Sequence, residues 1–420
     1  MLAGVIKSTA AYRNYKRRRV EEAYFARMRR YRGALDAKGL RYDEAETIER
    51  VRSRFPARNK RYGEIRTCYV APSKHWHNAM VPHLERMGEV VHLDVIQEYM
   101  PDFDALSGAE VAARMREATP AILCRFDEAH AEKPFDWAFF YHGAAEWMAE
   151  LATRVREKHG VPTAIMSLDD KQSWDDVAFG SERITQREAA PLFDVYWTNS
   201  SECCRWILAE GGAPIFMPEA CDPDEAKPRA VEKRHDLLFI GAAYGFRKHF
   251  VGRLERLGIE PTVFGAGWGA RGGFLPRERY EETLNASRVI LGAGGVGYSE
   301  ALMNVKGRDF ELPAVGAAPY LTSYNPDLAR WFEVGKEIFC YKDDVDLVEQ
   351  FRYLIERPDV AEASARLARA RCLREHQWIH RYDRLLKILN VVGEEETPPV
   401  SEAEALTNSS LGSSDAGSDD

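Results

Sequence analysis

The sequence lacks any long, uncharged apolar segment, and this absence excludes a membrane-spanning helix. No stretch of the 420 residues approaches the roughly 20 consecutive apolar residues that a span requires. A secretory signal is also missing, because the apolar residues 1–6 are too few before Lys7 and Arg13 follow. We therefore expect a cytoplasmic protein.

Metal-ligating residues are sparse in the patterns that metal sites need. The seven cysteines form no C-x-x-C pair and are odd in number, which is typical of reduced thiols. Histidine and cysteine form no cluster with metal-ligand spacing. Asp222 and Asp224 imitate a D-x-D metal motif, but they lie beside prolines with no strand to present them, so capping or solvation explains them better. The sequence predicts no metal site.

Apolar material, in contrast, is sufficient for two cores. The chain is 45% hydrophobic and 11% aromatic, with a mean hydropathy of -0.43, which is typical of a globular protein. Its length favours two domains of about 150 residues each, plus extensions. The net charge of -8 conceals an asymmetry, because residues 1–66 hold 19 Lys and Arg against 8 Asp and Glu.

Residues 1–62 are predicted to form a basic helical extension. Aromatic and apolar residues recur there at spacings of three to five, from Tyr12 to Tyr31, beside the basic run at residues 16–19. One interpretation is a solvated helical extension that packs on the body. The other is an arm that contacts an acidic partner or a membrane surface. Nucleic acid is disfavoured as a partner, because no recognition motif accompanies the charge.

Residues 63–222 alternate between short apolar strands and helical stretches, which predicts a Rossmann-like parallel sheet covered on both faces. The predicted strands are 65–70, 90–95, 121–124, 136–141, 163–167, 193–198 and 214–217. Loops at the strand ends carry polar residues that we expect on one rim of the sheet. These loops are residues 73–78, 142–143, 167–170 and 199–200.

A segment rich in proline and charge, residues 223–234, is predicted to be the linker to a second Rossmann-like domain at 235–375. The predicted strands of that domain are 236–240, 262–264, 289–291 and 318–322. A final helix at 376–392 follows. The tail at 393–420 is predicted to be disordered, because it is rich in Glu, Ser and Asp and contains no basic residue.

Two glycine turns follow the first strands of the second domain. Gly241 opens a turn that leads into Arg247 and Lys248, where backbone amides and cations suit a diphosphate. A tight turn with a solvated Arg-Lys pair is the alternative. After the next strand, Gly265 lets a ligand approach the backbone, and Trp268 either stacks on that ligand or caps the core.

The segment 306–322 concentrates charge at the start of a short helix. Lys306 and Arg308 suit phosphate oxygens, and Glu311 suits the hydroxyls of a ribose. The helix ends at Gly316, and a strand ending at Thr322 follows. Ligands of open α/β sheets bind beyond the carboxyl ends of strands, so this segment predicts a site for a ligand with phosphates and hydroxyls.

These residues carry a resemblance. The segment K-G-R-D-F-E-L-P-A-V-G at 306–316, the following strand, G-K-E-I-F-C-Y-K-D-D-V-D-L at 335–347 and H-Q-W-I-H-R at 376–381 resemble the donor-binding half of the CgeB-like (spore-maturation) glycosyltransferases. The resemblance covers about residues 236–386. It implies a GT-B fold, with two Rossmann-like domains facing each other across a cleft and the nucleotide-sugar held mainly by the second.

Under this resemblance Glu311 binds the donor ribose, a UDP-sugar is the favoured donor, and no metal or other cofactor is needed. The final helix crosses back to the first domain. Retaining members of the wider fold often carry a second glutamate eight positions before the ribose-binding one, where this chain has Met303. The acceptor (a protein, a glycan or a small molecule) and the stereochemical course stay open.

The glycine-rich segment 292–297 spells G-x-G-x-x-G and could indicate a dinucleotide site. Its context argues against that interpretation, because the residues after it are short and polar and Glu311 precedes an apolar strand. We interpret Gly294 and Gly295 as part of a loop beside the sugar-nucleotide. An NAD-dependent oxidoreductase and a non-catalytic sugar-nucleotide-binding scaffold are the alternative functions.

A catalytic base, if the reaction uses one, is expected on the rim of the first domain. Asp169 and Asp170 directly follow a strand and are the leading candidates, with His142 and His75 next. Each of these residue types also serves commonly as a cap or a core hydrogen-bonding group. The sequence therefore predicts an α/β glycosyltransferase whose donor site is better specified than its base.

Overall fold

The structure is a computed structural model that describes residues 10–72, 77–94, 96–141, 146–175 and 185–399. Contacts divide the chain into two compact units. The amino-terminal unit comprises Phe25–Pro218 and Trp378–Pro399, and the carboxy-terminal unit comprises Glu219–Gln377 with residues 10–24. No helix among the described residues combines the length and the apolar character needed to cross a membrane.

The strands of the described chain are short, as expected for α/β units. They are β1 (Ile65–Val70), β2 (Gly88–Leu93), β3 (Trp137–Tyr141), β4 (Thr163–Ser167), β5 (Val195–Thr198), β6 (Pro214–Phe216), β7 (His235–Ile240), β8 (Thr262–Phe264), β9 (Ser287–Leu291), β10 (Gly295–Val296), β11 (Ser299–Met303), β12 (Tyr320–Ser323) and β13 (Phe339–Tyr341).

Helices follow or precede most of these strands. They are α1 (Ala10–Lys38), α2 (Glu44–Arg52), α3 (His77–Glu85), α4 (Gly108–Glu132), α5 (Glu146–Thr153), α6 (Asp170–Ser173), α7 (Gln186–Ala189), α8 (Cys204–Ala209), α9 (Arg247–Arg256), α10 (Arg277–Asn285), α11 (Arg308–Val315), α12 (Asp344–Glu356), α13 (Pro358–Glu375) and α14 (Trp378–Ile388). Single-turn segments occur at Phe103–Ala105, Arg154–Lys158, Ala190–Leu192, Ser201–Cys203, Gly269–Arg271 and Leu328–Arg330.

Each unit contains one all-parallel sheet. Within the described residues, the sheet of the amino-terminal unit has the order β2-β1-β3-β4-β5-β6, and that of the carboxy-terminal unit has the order β13-β12-β9-β7-β8. Central strands such as β1 and β4 are buried along their whole length, because helices cover both faces. The predicted α/β class, with two Rossmann-like sheets and a helical amino-terminal extension, is confirmed.

One predicted strand is wrong. Residues 121–124 lie inside α4, where Ile122 and Leu123 share a buried face with Met115, Thr119 and Phe126. These positions recur at helical spacing, and a short apolar run does not by itself distinguish a buried strand from a buried helix. The other predicted strands of both units lie within two residues of observed ones, whereas β10, β11 and β13 were not predicted.

The ends of the predicted domains fall differently in the structure. Residues 223–234, assigned to a linker, lie inside the carboxy-terminal unit. Helix α14 belongs to the amino-terminal unit, where Trp378 packs against Trp197 with ring centroids 6.1 Å apart. Residues 393–399, assigned to the tail, are described with contacts, including an ion pair between Glu394 and Arg52. Residues 400–420 lie outside the described part.

The close packing of the β2 backbone against β1 can be tested at Gly88, the first residue of β2. Gly88 has a φ of +149°, and a Cβ atom there would lie 2.0 Å from the carbonyl oxygen of Ile65, its partner in register. Gly63 also has a positive φ, +90°, but a Cβ atom would meet nothing within 4 Å. We expect Gly63→Ala to cost about 1 kcal/mol through backbone strain alone, and Gly88→Ala to cost about 1 to 3 kcal/mol more through the clash.

Urea unfolding of both variants measures this difference. Equal losses would show that β2 moves away from β1 without cost and that the close approach is unimportant.

Candidate functional site

The loops after β7 and β9 lie where ligands bind in open parallel sheets. Strand β7 is hydrogen-bonded to β8 on one side and to β9 on the other, so the chain changes direction across the sheet at β7. Such a reversal leaves a crevice beyond the carboxyl ends of the strands. The predicted turn at Gly241 lies at this point.

Two guanidinium groups meet at Gly241. A Cβ atom at this position would lie 2.9 Å from Nη1 of Arg308 and 3.3 Å from Nη1 of Arg247. Both groups also lie over the ring of Phe239, with Cζ at 5.6 Å for Arg308 and 5.8 Å for Arg247. The structure therefore brings together three of the predicted site residues, and we call Arg247 and Arg308 the arginine pair.

Carbonyl oxygens hold the arginine pair in place. Nη1 of Arg308 donates to the carbonyl of Ile240 at 3.3 Å, and Nη1 of Arg247 donates to that of Ala242 at 3.2 Å. Both side chains are half-buried. Two positive charges at the end of one strand form a site suited to a phosphate or diphosphate. Lys248, in contrast, is exposed on the first turn of α9.

The backbone at Gly241 depends on Gly265 and Trp268. Gly265 has a φ of +134°, and a Cβ atom there would lie 2.5 Å from the carbonyl carbon and oxygen of Gly241. The indole Nε1 of Trp268 donates to the same carbonyl at 2.8 Å, and its ring meets Phe239 edge-on at 6.0 Å. Trp268 is only 4% exposed. Of the two interpretations from sequence, the core cap therefore describes its ring.

Glu311 lies one helical turn from Arg308, on the same face of α11. Its side chain is half-buried. Burial and the nearby carboxylate of Glu225 raise the pKa of Glu311 to about 8, although the charge of Arg308 opposes this increase. At neutral pH the unliganded carboxyl is therefore protonated and can both donate and accept a hydrogen bond with a hydroxyl group.

Sequence reasoning missed two neighbours of this carboxyl. Burial together with Glu311 and Glu225 raises the pKa of Tyr280, so that its phenol remains protonated at all ordinary pH values. Burial likewise raises the pKa of Glu225. Glu225 was hidden because residues 223–234 were assigned to a linker. The acids and Tyr280 place hydrogen-bonding groups beside the arginine pair.

Other residues of this segment support the helix and the sheet. Asp309 is buried and accepts from the backbone N–H of Lys306 at 2.8 Å and from the hydroxyl of Tyr320 at 2.6 Å. The half-buried Lys306 is therefore held at the start of α11. Thr322 is 1% exposed, and a Cβ atom at Gly292 would lie 2.4 Å from its Oγ1. The buried Thr322 therefore packs directly against the glycine segment.

The glycine segment 292–297 leads into a hairpin of β10 and β11. The N–H of Gly294 donates to Oγ of Ser323 at 2.8 Å, and a Cβ atom at Gly295 would lie 2.5 Å from the ring of Phe246. A dinucleotide fingerprint requires a helix whose amino terminus faces the pyrophosphate. The hairpin takes the place of that helix, so the oxidoreductase alternative is not favoured.

The hairpin holds the turn that carries Arg247. The carbonyl of Gly297 accepts from the N–H of Phe246 at 3.2 Å, and Gly245, with a φ of +60°, approaches the same carbonyl so closely that a Cβ atom would lie 1.7 Å from it. Helix α1 contributes as well, because Oγ of Ser299 donates to Oε1 of Glu21 at 2.8 Å.

Aromatic rings continue this contact between α1 and the turn. Tyr12 meets Tyr298 edge-on at 6.2 Å, and Tyr298 lies 6.5 Å from Tyr244 of the turn. The tyrosine spacing of α1 was visible in the sequence, but β10, with two residues, is too short to give a strand signal, and without it the hairpin was not predicted. The role of α1 beside the site was therefore missed.

In the amino-terminal unit, Asp170 is fully buried. It accepts from Oγ of Ser167 at 2.9 Å and from the hydroxyl of Tyr196 at 2.9 Å, and Thr198 donates to its other oxygen. Burial raises the pKa of Asp170 to about 6. A fully buried carboxyl that accepts from three hydroxyl groups is typical of a structural group at the strand ends.

Asp169 is half-buried and has a φ of +61°, a left-handed conformation that is uncommon for a residue with a side chain. Its N–H donates to Oδ1 of Asn199 at 3.3 Å, so two of the predicted rim loops meet here. Such strain often marks a functional position. Asp169 is therefore the proposed base among the described residues. The other two candidates, His75 and His142, lie outside the described residues.

The part of the chain that the structure describes contains no group of three potential metal ligands.

The raised pKa of Asp170 predicts that the free energy of unfolding depends on pH. Because the folded protein holds the proton to about pH 6 while an unfolded Asp loses it near pH 3.9, protonation stabilises the fold below about pH 4, and this contribution is lost as the pH rises through 6. We expect a loss of about 3 kcal/mol over this range. Asp170→Asn should remove this slope in urea unfolding.

Glu64→Gln, which removes an exposed carboxyl from the same unit, is the control. An unchanged slope in Asp170→Asn would show that another group titrates.

Part of the sequence matches a known protein family, and most of the chain is similar in fold to solved structures. Residues 247–387 match the family described as glycosyl transferase-like. No curated protein matches the sequence. The chain is similar in structure to the N-terminal domain of Candida albicans trehalose-6-phosphate phosphatase, with 10% identity and a TM-score of 0.51 over 80% of this chain and 98% of that one.

A second similar structure is Anabaena Alr3699/HepE, solved in complex with UDP, with 12% identity and a TM-score of 0.47 over 76% of this chain and 99% of that one. At these identities the similarity concerns the fold alone. The glycosyl transferase-like segment thus begins at Arg247, includes Arg308 and Glu311 of the carboxy-terminal unit, and ends within α14 of the amino-terminal unit.

Proposed function

We propose that this protein is a glycosyltransferase that takes a sugar from a nucleotide-sugar, with a UDP-sugar as the favoured donor. The observation that carries the proposal is the position of the arginine pair beside Gly241, with Glu311 one helical turn away. The match to the glycosyl transferase-like family over residues 247–387 supports it. The resemblance to CgeB-like enzymes is the finer assignment within this proposal, as are a metal-independent reaction and a cytoplasmic location.

The arginine pair stabilises the leaving group, which is the diphosphate of the donor. When the bond from the sugar to the diphosphate breaks, negative charge accumulates on the departing phosphate oxygen. Guanidinium groups can bind two phosphate oxygens at once, and both groups are already held by Ile240 and Ala242. The charge therefore develops next to cations that need little rearrangement.

Glu311 has the position and protonation state to bind the donor's hydroxyl groups. Its proton allows it to donate a hydrogen bond to one ribose hydroxyl and to accept another from the neighbouring hydroxyl. Burial without a ligand is unfavourable for the charged form, so hydroxyl binding also satisfies a poorly solvated group. Asp169 is the proposed base for the acceptor hydroxyl.

The arginine pair is tested by nucleotide binding. We expect UDP-sugars to bind by calorimetry and NAD to show no binding. Arg308→Ala and Arg247→Ala should each weaken binding about tenfold or more, because each removes a charge-assisted hydrogen bond. Arg352→Ala, which removes an exposed guanidinium from α12, is the matched control.

Binding of NAD in place of a nucleotide-sugar would overturn the proposal. Equal losses in Arg352→Ala and the site variants would show that only net charge matters.

Glu311 provides a second, independent test. Glu311→Ala should weaken binding of the nucleotide-sugar about tenfold while the protein remains folded. In the unliganded protein, the folded-state pKa of about 8 means that protonation of Glu311 supports stability at low pH and that this support is lost as the pH rises through 8. Thermal unfolding of Glu311→Gln should therefore depend less on pH in this range than that of the wild type.

Unchanged affinity in Glu311→Ala would remove Glu311 from the site. An unchanged pH profile in Glu311→Gln would show that its carboxyl is ionised in the fold.

A further inference from the structure

A depression of about 470 Å³ lies on the amino-terminal unit, apart from the residues of the proposed donor site. It is bordered by the second half of α1, by the turn after α1 and by the start of α8. Three arginines line it, Arg32, Arg41 and Arg205. We call it the arginine basin.

The three arginines of the basin contrast with Arg27 and Lys38, because they have no ion-pair or hydrogen-bond partner among the described residues. Elsewhere on α1, Arg27 pairs with Asp175 at 2.8 Å and Lys38 donates to the carbonyl of Ala209 at 2.7 Å. Arg32, Arg41 and Arg205 are exposed, and none of them forms an ion pair or a side-chain hydrogen bond within the described chain. Their charges are available to a ligand.

One acid, Asp36, also lines the basin, but it forms no ion pair with these arginines in the described chain. The local charge is therefore positive even with Asp36 ionised. Flexible arginine side chains can rotate toward an anion at the cost of side-chain entropy, and the planar guanidinium matches the oxygens of a phosphate. An ammonium rim would lack this bidentate geometry.

The floor of the basin is rigid and aromatic. Tyr31 is stacked on Trp206, with ring centroids 5.8 Å apart and an interplanar angle of 22°. Its hydroxyl donates to Oε1 of Glu210 at 2.5 Å and accepts from Nε1 of Trp174 at 2.7 Å, so the ring cannot rotate freely.

An apolar wall completes the basin. Leu40 is 38% exposed and lies at the turn after α1, and Leu35 lies deeper, at 5% exposure. Positive groups at the rim above apolar surface suit a ligand that has an anionic end and an apolar body. A small inorganic anion would leave this apolar surface uncovered.

We propose that the arginine basin binds the phosphate group of an amphipathic molecule whose apolar body rests on Leu40 and Met28, above the buried floor. The proposal does not depend on the glycosyltransferase assignment. The phosphate belongs to a lipid headgroup at a membrane surface or to a soluble aryl or alkyl phosphate, and both present the same chemistry.

The test uses the full-length protein and two probes. Sedimentation with vesicles of phosphatidylcholine, with and without phosphatidic acid, measures binding to a lipid phosphate. Calorimetry with naphthyl phosphate measures binding of a soluble phosphate with an aromatic body. We expect binding in at least one arm, and phosphatidylcholine alone should not bind.

Matched variants distinguish a site from diffuse charge. Arg41→Ala combined with Arg205→Ala should weaken binding of the positive probe about tenfold or more. Arg29→Ala combined with Arg50→Ala removes the same charge from exposed positions outside the basin and should change binding less than about twofold. Circular dichroism establishes that both variants are folded.

Binding to phosphatidic acid vesicles but not to naphthyl phosphate assigns the phosphate to a lipid, and the reverse result assigns it to a soluble compound. Absence of binding in both arms overturns the proposal. Equal losses in the two double variants overturn it as well, because they would show attraction to the basic surface in general.

Discussion

The guanidinium groups of Arg247 and Arg308 are held beside one glycine, and the proposed chemistry depends on this arrangement. Like charges placed together repel each other, so the unliganded protein must compensate for their proximity. It does so with the face of Phe239 and with the carbonyl oxygens of Ile240 and Ala242. An incoming diphosphate replaces mutual repulsion with attraction to both groups.

This arrangement is possible because two loops approach at backbone distance. Gly265 leaves room for the carbonyl of Gly241, and Trp268 binds that carbonyl from the core. On the other side of the turn, Gly245 approaches Gly297 of the hairpin, and Glu21 of α1 binds the hairpin at Ser299. The basic amino-terminal helix is thus a structural neighbour of the site as well as a carrier of surface charge.

Acidic residues that lie close together in the sequence have different roles because their surroundings in the fold differ. Asp309 and Glu311 are two positions apart, yet Asp309 accepts hydrogen bonds from Lys306 and Tyr320 while Glu311 faces Arg308 with a proton retained. In the other unit, Asp170 is enclosed by hydroxyl groups, whereas Asp169 is half-buried in a left-handed conformation. Sequence reasoning placed Asp169 and Asp170 together as candidate bases because nothing local separates them.

The sequence by itself determined the alternation of strands and helices, the all-parallel α/β class and the segment 306–322 as a place of concentrated charge. These follow from local periodicity and from residues that are adjacent in the chain. Only the tertiary structure decided that Trp268 supports a carbonyl and that burial and Glu225 raise the pKa of Glu311. The reason is physical: burial, close backbone approach and charge proximity join residues far apart in sequence, and no local pattern encodes those distances.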